Sequence, residues 1–181
     1  PGATLFRSDC ILHRECFKNY FVQKPLHFMK NKYFPEESIS TNDLFFVCYM
    51  VERVARKIKQ RNSYVVNQIG KEKLYHFLSL AQVLHSSNPL QVEAEWIEEF
   101  NLQDGTFDIT NVDKNLCDKI PTPLEMGSVY SRLIDSVSEN YVDGLVEVYN
   151  SDLCDVIDNY NSSAYYEPSY YITRAYLNGG F

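Results

Sequence analysis

The sequence predicts a mostly α-helical protein: a multi-helix bundle forming a single domain with a helical C-terminal extension. Two observations carry this. Apolar residues recur at helical spacing from residue 41 onward, and helix start and stop signals punctuate the same stretch. Three segments follow from them: an N-terminal segment of helix plus loop at 1–40, a helical core at 41–140, and a tyrosine-rich helical extension at 141–181.

In the first segment, Cys10, Ile11, Leu12, Cys16, Phe17, Tyr20 and Phe21 allow one helix, stopped at Lys24-Pro25, and residues 25–40 read as loop. The core opens with Thr41 as N-cap and Asp43 in the first turn, where a negative charge complements the helix dipole. Leu44, Val47, Cys48, Val51, Val54, Ala55 and Ile58 then fall on one stripe of a helix. A short helix over 62–69 follows, with Gly70 supplying a left-handed C-terminal position, and another over 71–85 carries Leu74, Phe77, Leu78, Ala81 and Leu84 on one face. Asn88 caps the next helix and Pro89 takes its first turn, where a missing N–H costs nothing; Trp96, Ile97 and Phe100 follow at helical spacing.

Asp104-Gly105 marks a turn, and residues 105–121 read as irregular with a short extended piece at 106–109. Thr122-Pro123-Leu124-Glu125 matches a capping box with Pro at the first helical position, and Met126, Val129, Tyr130, Leu133, Ile134 and Val137 give that helix its apolar face. Shorter helices are expected at 143–149, 152–160 and 169–177, the last closed by Gly179-Gly180.

Composition bounds the function. The chain has 45% apolar and 23% charged residues, and no apolar stretch approaches the length of a membrane span. Residues 1–90 hold 13 Lys+Arg against 7 Asp+Glu, a net of +6, whereas residues 91–181 hold 4 against 17, a net of −13. Such segregation points to an interaction surface, or to two surfaces that meet each other. The acidic total of −7 argues against tight general binding to nucleic acid. Five cysteines without a C-x-x-C pair read as reduced thiols of a cytoplasmic protein. The sequence starts Pro1-Gly2, which reads as a cleavage remnant or an internal cut from a longer protein.

No metal, cofactor or catalytic signature is visible. His13, His27, His76 and His85 lack ligand spacing, and there is no Gly-rich phosphate loop. Glu93, Glu95, Glu98 and Glu99 read as a solvated acidic face, and Cys48 as a core residue. Two constellations remain. Arg53, Arg56, Lys57, Lys59, Arg61, Lys71 and Lys73 gather positive charge within 53–73, which reads as a solvated helix face, as a surface for the acidic half of this chain or another protein, or as a nucleic-acid contact beside a short inter-helix turn. Tyr160, Tyr165, Tyr166, Tyr170, Tyr171 and Tyr176 crowd the C-terminus, where rings pack and hydroxyls stay wet.

Residues 44–100, through Leu44-Phe45-Phe46-Val47, Glu52, Ala55, Lys57, Val66, Val83-Leu84-His85 and Ile97, resemble a family of small uncharacterised bacterial helical domains encoded beside ADP-ribosyltransferase-like toxins. The resemblance implies a companion role in pairs akin to toxin–antitoxin modules and transfers no catalytic residue. The expectation is therefore a non-catalytic protein-interaction module using Arg53, Arg56, Lys57, Lys59 and Arg61 or Tyr165, Tyr166, Tyr170 and Tyr171. It needs no cofactor and no membrane, and self-association stays open. A nucleic-acid-binding regulator using 53–73 is the alternative, and an enzyme of unrecognised type a second one.

Overall fold

In the computed structural model, residues 28–181 are described, so the helix expected within residues 10–21 lies outside them. Seven α-helices and a two-stranded antiparallel ribbon make up the regular structure of the described residues. They form the multi-helix bundle that the periodicity predicts.

The ribbon, β1 (Met29–Lys30) and β2 (Ser38–Ile39), pairs Met29 with Ile39 and Lys30 with Ser38. It falls where loop was expected. Ile39 is buried, whereas Lys30 and Ser38 are exposed, so one apolar anchor turns the loop into a hairpin.

Helix α1 (Thr41–Lys57) buries the expected stripe of Leu44, Val47, Cys48, Val51, Val54 and Ala55. Its N-cap is Ser40 rather than Thr41, because Asp43 at N3 accepts the Ser40 backbone N–H at 2.7 Å. Residues Asn62–Leu84, α2, hold the two helices expected there as two arms that meet at a kink: Gly70 between them has the non-helical φ 74° and ψ 162°, a conformation that residues with a Cβ rarely adopt. The second arm of α2 stacks Phe77 on Trp96 of α3 (Pro89–Glu99), with ring centroids 4.3 Å apart.

Residues 106–109 are not extended as a strand. The backbone N–H groups of Gly105 and Phe107 donate to the carbonyls of Ile58 (2.7 Å) and Lys59 (2.9 Å), so this loop is sewn to the end of α1 and has no ladder partner. Helix α4 (Pro123–Val137) forms its capping box as expected and lies along α1. The two backbones approach closely at Gly127, where a Cβ would come within 2.9 Å of the Tyr49 main chain.

Helix α5 (Tyr141–Tyr149) packs on α2 and α4, and α6 (Asp152–Ile157) is shorter than the helix expected over 152–160. Two 3₁₀ turns, Tyr160–Ser162 and Ala164–Tyr166, replace its end and lead to α7 (Ser169–Asn178) against α4. No helix among the described residues is long and apolar enough to cross a membrane.

Candidate functional site

The basic segment lies along the C-terminal half of α1, the following turn and the start of the second arm of α2, after Gly70. Its charges are largely met within the chain. Arg53 pairs with Glu93 of α3 at 2.8 Å, Lys59 with Asp108 at 3.7 Å, Lys71 with Asp143 at 2.5 Å and Lys73 with Glu99 at 2.6 Å. Arg61 pairs with Asp155 of α6 and lays its guanidinium 4.4 Å from the centre of the Phe107 ring. All five acids belong to the acidic half, so the charge segregation seen along the sequence closes on itself in the fold. Glu93 is accordingly buried against Arg53 and is not part of a solvated face. Arg56 turns inward to Glu52, and Lys57 is exposed without an ion pair among the described residues.

The tyrosines divide. Tyr165 is buried, edge-on to Tyr160 at 5.2 Å, and its hydroxyl lies 3.9 Å from Cys117 Sγ. Tyr171 is half-buried between Arg174 and Phe181. Tyr166 and Tyr170 stand in solvent, 68% and 70% exposed.

Tyr166 helps to line a groove of about 390 Å³ between α4 and residues 165–172. Val129, Arg132 and Leu133 form one wall, and Tyr166, Pro168 and Ile172 the other. Arg132 is exposed and makes no ion pair among the described residues. One end of the groove is fixed by the α4 cap: Glu125 accepts the Thr122 backbone N–H at 2.6 Å and pairs with Lys119 at 3.0 Å. The Thr122 N–H first, and then the Lys119 ammonium, pull the Glu125 carboxyl down to about 2.

Beneath this end lies a buried polar cluster. Glu52 of α1 is wholly buried; its Oε1 accepts from Arg56 Nε and from the Tyr160 hydroxyl, both at 2.7 Å. Asn62, at the start of α2, bridges two acids through one amide nitrogen, donating to Glu52 Oε2 at 2.7 Å and to Asp158 Oδ2 at 3.1 Å. Asp158 also accepts from the Tyr130 hydroxyl, which lies 3.1 Å from Cys154 Sγ. Burial first, and then the Glu52 charge, push the Asp158 carboxyl up to about 7. Burial also pushes the Cys48 thiol up to about 12. His76 and His85 take no part; their rings lie against Tyr33 (4.9 Å) and Phe46 (4.6 Å).

Comparison with family models, curated proteins and solved structures finds no match. The site is therefore read from its own geometry. Of the residues singled out in the sequence, Tyr165, Tyr166 and the start of α7 converge on the groove, whereas Arg53, Arg56, Lys59 and Arg61 are engaged elsewhere. Arg132 and the Glu52–Asn62–Asp158 cluster were missed. Glu52 carried a signal: it lies four residues after Cys48, between Val51 and Val54 on the buried side of α1, where a carboxylate needs partners. Asp158 and Arg132 carried none, since their roles depend on which helices meet.

Proposed function

We propose that this chain is a non-catalytic protein-interaction module, the antitoxin-like companion of a bacterial ADP-ribosyltransferase-like enzyme, and that it binds through the groove between α4 and α7. The observation that carries this is the solvent-standing Tyr166 and Tyr170 beside a groove that also presents the exposed guanidinium of Arg132, which makes no ion pair among the described residues. Tyrosine and arginine are the side chains most enriched where binding energy concentrates, because each buries a large planar surface and keeps a polar end to pair. The resemblance of residues 44–100 supports the class of partner. A non-catalytic role is supported by the buried cluster: Glu52, Asp158, Tyr130 and Cys154 face one another in the packed interior, where no substrate reaches them.

The basic segment is a poorer surface, since five of its seven cations are held by acids of the second half and Arg56 is held by Glu52. Arg56 is thus a structural residue, and Lys57 and Lys59 are the cleaner probes of the nucleic-acid alternative.

The test is co-expression with an ADP-ribosyltransferase-like enzyme encoded beside this chain, followed by size-exclusion chromatography with light scattering. A complex is expected, and Tyr166→Ala combined with Arg132→Ala should raise its Kd at least about tenfold, the scale of one lost anchor. No complex, or one indifferent to those substitutions, would sink the reading. A salt-sensitive gel shift at about 50 mM salt, weakened by Lys57→Ala and Lys59→Ala, would put the nucleic-acid regulator in its place.

A further inference from the structure

Counting charge in the buried cluster gives an imbalance. Among the described residues, two carboxyl groups, Glu52 and Asp158, share one bridging amide, that of Asn62, and one cation, Arg56, which hydrogen-bonds Glu52 but not Asp158. The titratable groups that face Asp158 come from the elements around it: Glu52 from α1, Tyr130 from α4, Cys154 from α6 and Tyr160 from the 3₁₀ turn, with Arg56 one contact further on Glu52 and Tyr149 of α5 one contact further on Tyr130. Its own hydrogen-bond donors are the Tyr130 hydroxyl, the Asn62 amide and the Cys154 thiol, all neutral. Ionising both acids would leave one uncompensated negative charge in the packed interior, a cost far above that of holding a proton.

We propose that Asp158 holds a proton in the folded chain, beside the Glu52 carboxylate that Arg56 pairs, and that its loss loosens the docking of residues 152–166 on α1 and α2, making the cluster a proton-dependent latch. The geometry puts the latch where it would act. Asp158 closes α6, Tyr160 follows two residues later, and through them the segment is tied to Glu52, Arg56 and Asn62. Another polar tie of this segment, from Asp155 to Arg61 at the N-cap of α2, is exposed and weak by comparison. This proposal stands whether or not the tyrosine surface binds a partner.

The sign follows from linkage. The ordinary Asp value is 3.8, and the folded-state carboxyl sits near 7. The stabilisation is therefore complete below about 4, is lost as pH rises toward about 7, and is level above that. The experiment is a carboxyl-carbon NMR titration of the full chain, paired with hydrogen exchange between pH 5 and 7 on the wild type and on Asp158→Asn. Asp158 should titrate near 7, and Glu52→Gln, which removes the neighbouring charge, should lower that midpoint by at least about one unit. After correction for intrinsic exchange rates, amide protection within 152–166 should fall roughly 50-fold over this range in the wild type, the slope flattening as the Asp158 midpoint is reached, and stay level in Asp158→Asn. An Asp158 midpoint near 4 would overturn the proposal, as would the same loss of protection in Asp158→Asn or an equal loss throughout α1 and α4. Should either variant fail to fold, the wild-type midpoint and the place of its protection loss still decide.

Discussion

Arg53 of α1 and Glu93 of α3 meet at 2.8 Å with their side chains 20% and 11% exposed, joining the basic half of the chain to the acidic half across a largely dry contact. Surface pairs of this kind contribute little, but burial raises the cost of leaving one partner alone. Glu93→Gln should therefore cost about 1–2 kcal/mol, more than Glu99→Gln at the exposed Lys73 pair. Urea unfolding of both variants checks the order; equal losses would contradict it.

Helix α4 can lie against α1 only because residue 127 has no side chain. A Cβ there would sit 2.9 Å from the Tyr49 main-chain N and Cα, atoms that cannot swing aside. Gly127→Ala should force the helices apart and destabilise by about 2–3 kcal/mol. The denaturation midpoint reports this. A near-neutral result would mean that the two helices slide freely.

The start of α4 should show a distinct acid response. Glu125 is held down to about 2 by the Thr122 N–H, with Lys119 next, so its favourable contribution exists above its ordinary value of 4.5 and is lost as pH falls toward 2. In an NMR titration Glu125 should be among the last carboxyls to protonate, and Lys119→Ala should move its midpoint upward. Thr122→Val, which removes the capping oxygen, should cost about 1 kcal/mol.

Thiol chemistry should separate core from surface. Cys48, Cys117 and Cys154 are buried, and burial pushes the Cys48 thiol up to about 12, so little thiolate exists at neutral pH. Iodoacetamide labelling mapped by mass spectrometry should leave these three unmodified until denaturant is added. Fast labelling of Cys48 in the native protein would contradict the packing of α1.

The helices were legible because their causes are local. The stripe from Leu44 to Ala55, the Thr122-Glu125 box and the Asn88-Pro89 start each lie within a few residues of one another. The hairpin at Met29 and Ile39 was missed because two-residue strands have no periodicity to read. The groove and the acid cluster were missed for a different reason. Arg56 reaches Tyr160 across 104 positions, and Asn62 reaches Asp158 across 96, so neither contact leaves a trace in any window of sequence. The charge segregation was visible from the start, but its meaning, halves that neutralise each other, required knowing that α1 and α2 lie beside α3, α5 and α6.

The pairing of α1 with α4 also has a temporal side. During synthesis α1 leaves the ribosome some 80 residues ahead of its main neighbour, with its apolar stripe uncovered and its cations still waiting for counter-charges. Completion of the core therefore waits until α4 has been made. A ribosome stalled near residue 100 would hold a cationic, half-covered intermediate, a natural client for chaperones.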